Sequence, residues 1–133
     1  MINKSALLLF KTIDAVPHLM MVRESSKKFL LLPGGKQEAG ETVEQALARE
    51  ITEELDCTVQ DVAFLEAVTG ATPDGTPLTI SLFTGTLDGT PTPSSEITDI
   101  VWLSRDNLSE YANILTPITT GEVFPCLARH NMF

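Results

Sequence analysis

Three glutamates, Glu50, Glu53 and Glu54, stand at positions i, i+3 and i+4 of one segment. In a helix these spacings make side chains neighbours on one surface, where like charges repel each other. A cation relieves this repulsion, and carboxylate oxygens are ligands that suit a hard cation such as Mg²⁺. The three residues therefore indicate a metal site, although an acidic helix whose charges simply face solvent would have the same composition.

The surrounding sequence predicts the helix that positions these acids. Thr42 and Gln45 form a capping-box pair at its start, and we expect the helix to run from about Thr42 to Leu55. Aliphatic residues recur on one face at four-residue intervals: Val43, Leu47, Ile51 and Leu55. The glutamates fall along the edge of this stripe and not opposite it, which favours a half-buried site over a solvated face. The preceding Pro33-Gly34-Gly35 turn would deliver backbone carbonyls to the same end of the helix.

A known motif recurs in this stretch at matching spacings. The residues at the motif positions are Gly35, Glu41, Arg49, Glu50, Ile51, Glu53, Glu54 and, near its end, Cys57. On these residues the chain resembles the Nudix hydrolases, and in particular their MutT-like members. At one position the family usually has glycine and this chain has Asp56. That glycine would end the helix in a left-handed conformation, which aspartate tolerates better than most residues.

The resemblance implies a fold, a reaction and a set of roles. The fold would be an α/β/α sandwich around a mixed β-sheet, and the reaction would be hydrolysis of a nucleoside diphosphate linked to another group, with Mg²⁺ or Mn²⁺ and an activated water. The implied metal ligands are the carbonyl of Gly35 and the carboxylates of Glu50, Glu53 and Glu54. The base that activates water varies among family members, so Glu50 and Glu53 both stay candidates. Arg49 would orient a carboxylate such as Glu41, because its planar guanidinium binds carboxylates with two parallel hydrogen bonds.

Residues outside the motif supply further candidates. Family members with this layout often bring one more glutamate to the metal or the water, a role that Glu96 would take here if it is not an ordinary loop acid. Arg23 and Lys36 could each reach a substrate phosphate. The aromatic candidates for substrate contact are Phe83 and Trp102, of which Trp102 fits a core or pocket-edge position as well.

The remaining segments predict a mixed sheet covered by helices on both sides. The stretch from Lys4 to Ile13 is continuously apolar in its centre, Ala6–Phe10, and fits a strand buried on both faces. The segments His18–Arg23 and Lys28–Leu32 predict a hairpin. Further strands are predicted at Val59–Val68, Pro77–Leu87 and Ile97–Leu103. A short helix from Ser104 to about Tyr111 and a last helix after Thr116-Pro117 complete the chain, with Pro125 weighing against the last one.

Length, net charge and the positions of the cysteines limit the binding partners and the cellular location that we expect for this protein. The length of 133 residues predicts a single domain over residues 1–133, and the net charge of −9 disfavours nucleic-acid binding. The two cysteines are far apart, and neither a signal peptide nor a membrane span is evident, so we expect a cytoplasmic protein that does not bind membranes. A homodimer is common in the family that the chain resembles.

The identity of the substrate depends on weaker features. The short region before the motif and the layout from Glu96 to Trp102 resemble nucleoside triphosphate pyrophosphohydrolases, including those that act on oxidised nucleotides. Pro73 stands sixteen residues after Cys57, a spacing that resembles ADP-ribose pyrophosphatases, but Pro73-Asp74-Gly75 is also an ordinary turn sequence. ADP-ribose, other nucleotide sugars and dinucleotides therefore stay as alternatives. A nucleotide-binding module without catalysis is the alternative from another class, although none of the motif's acids is missing.

Overall fold

The structure is a computed structural model that describes residues 1–133 and contains two β-sheets. Its strands are β1 (Ile2–Leu8), β2 (Phe10–Ile13), β3 (Val16–Glu24), β4 (Gly34–Lys36), β5 (Thr58–Ala71), β6 (Pro77–Asp88) and β7 (Ile97–Leu103). The larger sheet has the order β4-β1-β6-β5, in which β1 and β6 run parallel and the other pairs are antiparallel. A smaller antiparallel sheet has the order β2-β3-β7.

Helices cover both faces of the mixed sheet. Helix α1 (Val43–Leu55) packs on one face, where its Leu47 joins Leu7 of β1 in one hydrophobic cluster. On the other face, Ala6 and Leu8 of β1 belong to a second cluster that includes Leu127 of the C-terminal helix α3 (Phe124–Arg129). Since successive side chains of a strand point to opposite faces, this alternation separates the two cores. The predicted α/β/α sandwich with a mixed sheet is confirmed.

Helix α1 begins and ends as the sequence predicts. Thr42 and Gln45 form both hydrogen bonds of the capping box, so two otherwise unpaired N–H groups of the first turn have partners. The helix ends at Asp56, which adopts φ 51° and ψ 40°, the left-handed conformation expected where the family usually has glycine. The aliphatic stripe is buried from Leu47 to Leu55, and the adjacent Glu54 is buried with it.

The predictions for the first 36 residues are partly wrong. The Lys4–Ile13 stretch belongs to two strands in different sheets, β1 and β2. The sequence does not predict the break between them, because the apolar run at its centre has no alternation of apolar and polar residues that would mark it. The hairpin is formed by β2 and β3, which join at Asp14 and Ala15 with φ 52° and 65°. The predicted strand Lys28–Leu32 keeps only isolated bridges, such as the one between Val22 and Leu31, while Gly34–Lys36 pairs with β1 as β4.

The C-terminal elements differ from prediction in detail. Helix α2 (Leu108–Tyr111) starts four residues after Ser104, because Ser104 and Asn107 close a turn by reciprocal hydrogen bonds before it. The last helix does follow Pro117, and residues 117–129 are helical. It passes through a π-helical turn (Thr119–Val123) immediately before Pro125, whose ring nitrogen cannot donate the hydrogen bond of a regular α-helix. No helix of the protein is long and apolar enough to cross a membrane.

Candidate active site

The acids of α1 line an entirely polar pocket between this helix, β4 and the loop that precedes β7. No hydrophobic residue contributes to its wall, which consists of Lys4, Glu24, Gly34, Lys36, Glu50, Glu53, Glu54, Ser95 and Glu96. Five of these nine residues are glutamates. We call this site the carboxylate pocket.

The three glutamates of α1 stand at different depths. Glu54 is buried, and its Oε1 accepts a hydrogen bond of 2.9 Å from the N–H of Gly34. Burial raises the pKa of Glu54 to about 8, and the negative charges of Glu50 and Glu24 act in the same direction. Glu50 is half-buried, and burial raises its pKa as well. Glu53 has 52% of its side chain exposed and stands at the rim, so solvent exposure increases from Glu54 through Glu50 to Glu53.

Arg49 connects two of the acids and the β4 backbone. Its Nε and NH2 atoms donate to the two oxygens of Glu41 at 2.7 and 3.0 Å, and its NH1 donates to Oε1 of Glu50 at 2.8 Å. NH2 also donates to the carbonyl of Lys36 at 3.1 Å. Hydrogen bonds from Arg49 lower the pKa of Glu41 to about 2, so this carboxylate stays charged and holds the guanidinium in one orientation. Arg49 thus has the geometry of an orienting residue for Glu50.

Gly35 lies directly against the carboxylate of Glu50. A Cβ built at this position would overlap the carboxyl carbon of Glu50 and lie 2.7 Å from each of its oxygens. Glycine therefore lets the β4 backbone approach this carboxylate more closely than any other residue would allow. The β4 backbone at Gly35 therefore lies in close contact with the Glu50 carboxylate, and the role of the Gly35 carbonyl as a cation ligand stays a prediction.

We expect Gly35→Ala to displace the Glu50 side chain while the protein stays folded. The methyl group meets a flexible side chain and not a backbone atom, and Gly35 does not have a left-handed φ, so the melting temperature should fall by only a few degrees, about 1 kcal/mol of overpacking. The affinity for Mg²⁺, measured by calorimetry, should fall at least about tenfold, the size of effect typical when a ligand's support is lost. Gly121→Ala, whose Cβ meets nothing within 4 Å, is the matched control. Unchanged Mg²⁺ affinity in Gly35→Ala would contradict the assignment.

The loop before β7 is attached to the C-terminal end of α1 and brings in Glu96. The N–H groups of Thr92 and Ser94 donate to the carbonyls of Leu55 and Glu54, each at 2.9 Å. The carbonyl of Glu96 accepts a hydrogen bond of 2.7 Å from the N–H of Ser25. These contacts place Glu96 on the wall of the carboxylate pocket, where it faces the three acids of α1.

The structure also adds pocket residues that the sequence analysis did not single out: Lys4, Glu24 and Ser95. Lys4 stands on β1 and Glu24 ends β3, so both reach the pocket from strands of different sheets. The sequence gives no local signal for Lys4, because it stands between Asn3 and Ser5 in the polar first half of β1. Nothing local in the sequence distinguishes Glu24 from the solvent-exposed acids.

Three predicted substrate contacts are not in the pocket. Phe83 is fully buried in the core beneath α1, so no substrate reaches it in this conformation. Arg23 forms an ion pair of 2.9 Å with Asp99 on the neighbouring strand β7 and does not line the pocket. Trp102 packs at the edge of the core, and the ammonium of Lys11 lies 4.2 Å from the centre of its ring. The assignment of Phe83 is corrected, and Trp102 takes the edge-of-core position that was the other prediction for it. Substrate contact by Arg23 stays a prediction, whereas Lys36 lines the carboxylate pocket.

A second, more apolar pocket adjoins the first. Its aliphatic wall comes from both sheets and from the start of the C-terminal helix: Ala6, Val22, Leu31, Leu32, Leu78, Ile80 and Ile118. Thr72, Thr116 and Thr119 add hydroxyl groups, and Pro73 stands at its edge. The two pockets share Lys4, Glu24, Gly34 and Glu54 and are therefore adjacent, and we call the pair, with its acidic end and its apolar end, the cleft.

The donor set of the carboxylate pocket fits a divalent hard cation. The side chains that can ligate a metal are five carboxylates and one hydroxyl, whereas the ammonium groups of Lys4 and Lys36 have no lone pair, and neither cysteine nor histidine lines the pocket. Oxygen-only donors favour Mg²⁺ or Mn²⁺ over softer transition metals. The buried Glu54 supports the same conclusion, since a charged carboxylate that is out of water needs a compensating positive charge.

The raised pKa of Glu54 predicts how the stability of the metal-free protein depends on pH. The unfolded chain releases this proton near the ordinary value of 4.5, whereas the folded protein retains it until about pH 8. Because the folded state binds more protons in this window, the free energy of unfolding in EDTA should fall as pH rises from about 5 to 8. Urea unfolding at several pH values measures this decline, and it should be shallower in Glu54→Gln. Equal declines in both proteins would contradict the raised pKa.

This chain is similar to known proteins in sequence and in fold. The NUDIX domain family matches residues 5–120. Among solved structures, that of a C. elegans Ap4A hydrolase has a TM-score of 0.75 at 17% identity, and the match covers 98% of this chain and 96% of the other. The NUDIX domain of Shewanella oneidensis NrtR, solved with ADP ribose, has a TM-score of 0.71 at 16% identity, and the match covers 98% of this chain and 88% of the other.

A third solved structure comes from work on MutT of Aliivibrio salmonicida and Vibrio cholerae. It has a TM-score of 0.59 at 27% identity, with 83% of each chain covered. A sequence search among curated proteins finds no match. The match to the NUDIX domain spans most of the 133 residues and includes all of the residues from Gly35 to Cys57. The chain therefore belongs to the NUDIX hydrolase family.

Proposed function

We propose that this protein is a Mg²⁺-dependent pyrophosphohydrolase that converts a (deoxy)nucleoside triphosphate, in its ordinary or oxidised form, to the monophosphate and pyrophosphate. The observation that carries the proposal is the cleft, in which the carboxylate pocket and the apolar pocket lie side by side and share four lining residues. Such a cleft complements a molecule with an apolar base at one end and metal-bound phosphates at the other. The similarity to MutT at 27% identity supports the same substrate class.

The acids of α1 and the Gly35 carbonyl would hold the cation. When bound there, Mg²⁺ neutralises phosphate charge and lowers the pKa of a coordinated water. Glu54 stands deepest and Glu53 at the rim, so they would hold the cation from two sides of the pocket. Glu50 or Glu53 would accept the proton from the attacking water, and Arg49 keeps the Glu50 carboxylate in position for that task.

Glu96 would act from the opposite wall. Its loop is fixed to α1 by two backbone hydrogen bonds, so its position relative to the helix acids does not depend on the substrate. In this position Glu96 either adds a carboxylate to the cation or orients the water. Lys36 would reach the phosphates from β4.

A second candidate substrate is ADP-ribose. Pro73, whose spacing from Cys57 resembles that of ADP-ribose pyrophosphatases, lies at the edge of the apolar pocket. The NrtR domain of similar fold was solved with ADP ribose. A dinucleoside polyphosphate is favoured only by the fold shared with the C. elegans Ap4A hydrolase.

The proposal is tested by a turnover screen with Mg²⁺ over the common and oxidised nucleoside triphosphates, ADP-ribose, nucleotide sugars and dinucleoside polyphosphates. We expect the largest kcat/KM on a nucleoside triphosphate, with monophosphate and pyrophosphate as products in chromatography. Turnover of ADP-ribose alone would overturn the triphosphate proposal in favour of the second candidate. Binding without turnover of any member of the panel would identify a nucleotide-binding module.

A further inference from the structure

Two lysines face each other at the junction of the two pockets. Lys4 of β1 and Lys36 of β4 are direct partners in the antiparallel register, so their side chains emerge side by side on the same face of the sheet. Like charges in directly opposite positions destabilise a sheet, and such an arrangement calls for an anion. Lys36 is exposed and lines the carboxylate pocket but not the apolar one, whereas Lys4 is half-buried and lines both.

Lys4 has no ion-pair partner of its own. Glu24, Glu50 and Glu54 act on its charge from a distance, yet no carboxylate oxygen lies within 4.0 Å of its ammonium and its side chain makes no hydrogen bond to the protein. A half-buried ammonium normally has such a partner, because removing a charge from water costs free energy. Its three N–H donors are therefore free to bind a ligand.

The position of Lys4 along the cleft determines which part of a ligand it meets. The apolar pocket would receive the base and the carboxylate pocket the metal-bound phosphates, under the function proposed above. Between the base and the terminal phosphates of a nucleotide lie the uncharged sugar and then the α-phosphate, which is the anionic group nearest to the nucleoside. We propose that Lys4 binds this α-phosphate and so distinguishes nucleotides from nucleosides in the apolar pocket.

A binding experiment separates this role from a structural one. Calorimetry with the full chain and Mg²⁺ compares AMP, GMP, CMP and UMP with their four nucleosides, on wild type, Lys4→Met and Lys4→Arg. In the wild type at least one monophosphate should bind about tenfold to a hundredfold more tightly than its nucleoside, the range for a hydrogen bond to a charged group. Lys4→Met should lose this preference and keep its affinity for the nucleoside, while Lys4→Arg should retain most of it.

The controls decide between the two explanations. Lys27→Met removes the same charge from an exposed turn and should leave the preference unchanged. If Lys4 only balances the nearby glutamates, Lys4→Met will weaken monophosphates and nucleosides equally, which overturns the proposal. A wild-type protein without any preference for monophosphates overturns it too. Both results are independent of turnover, so a failed triphosphate screen remains distinguishable from a failure of this inference.

Discussion

Replacing Glu53 or Glu54 by glutamine is expected to lower kcat on the substrate about a thousandfold, since roughly 4 kcal/mol of transition-state charge stabilisation depends on correct metal coordination. Glutamine keeps the shape of the side chain and removes only its charge. In Glu54→Gln the amide oxygen can still accept the hydrogen bond from the N–H of Gly34, so the fold stays intact. The measurement is steady-state kinetics at saturating Mg²⁺ on the substrate identified by the screen.

The change in stability should have the opposite sign from the change in activity. Glu54 is a buried acid among other acids, so its neutral replacement should raise the melting temperature of the metal-free protein at pH 8 or leave it unchanged. The melting temperature of the wild type should rise on addition of Mg²⁺ by linkage, and this rise should be reduced in both variants.

Glu44→Gln provides the matched control for this pair. Glu44 lies in the first turn of the same helix, is exposed and does not line the carboxylate pocket. Its replacement should leave both kcat and the Mg²⁺-dependent rise in melting temperature unchanged. If Glu53→Gln and Glu54→Gln retain the rates of Glu44→Gln, neither residue holds a catalytic cation.

Local signals in the sequence predicted the helix and its acids well. The capping box, the four-residue aliphatic period and the spacing of the glutamates all concern residues within one helix, where position along the chain determines position in space. The strands β5, β6 and β7 were also predicted, because each is bounded by turn residues. The alternation of strands and helices also predicts a mixed sheet, in agreement with the family resemblance, but neither specifies which strands pair.

Features that depend on distant contacts could not be predicted. The break between β1 and β2 arises because the chain passes from one sheet to the other, and the apolar run gives no local sign of it. Phe83 and Trp102 were aromatic candidates by residue type alone, but exposure to the cleft depends on which face of each strand is covered. Lys4 and Glu24 enter the pocket only because β1 and β3 meet α1 in the folded protein.

The short strand β4 was predicted as a turn for an understandable reason. Glycines are enriched in turns, and Pro33-Gly34-Gly35 has a typical turn composition. In the structure the same glycines pair with Ser5 and Ala6 of β1 in an antiparallel ladder. Their missing side chains let the backbone pack closely, at Gly34 against β1 and at Gly35 against the side chain of Glu50. A substitution at Gly34 should therefore cost the most stability, because its neighbours are backbone atoms.

Gly34→Ala is expected to destabilise the protein by at least about 3 kcal/mol, which corresponds to a fall of roughly 10 °C in melting temperature. Two costs combine at this position. Gly34 has φ 143°, a conformation that residues with a side chain rarely adopt, and a Cβ would overlap the carbonyl oxygen of Ser5 and lie 2.9 Å from the Cα of Ala6. These are backbone atoms of β1, so relief requires the β1–β4 pairing to open.

Opening this pairing would also remove the hydrogen bond from the N–H of Gly34 to Glu54, so Mg²⁺ affinity should fall together with stability. Gly40→Ala separates the two costs, because Gly40 has φ 83° but a Cβ there meets nothing within 4 Å. It should show the backbone strain alone, about 1–2 kcal/mol, with Mg²⁺ affinity unchanged. Thermal unfolding and Mg²⁺ calorimetry on both variants provide the comparison. If Gly34→Ala proves as stable as Gly40→Ala, the close packing of β4 on β1 is not what keeps Gly34 next to the acids of α1.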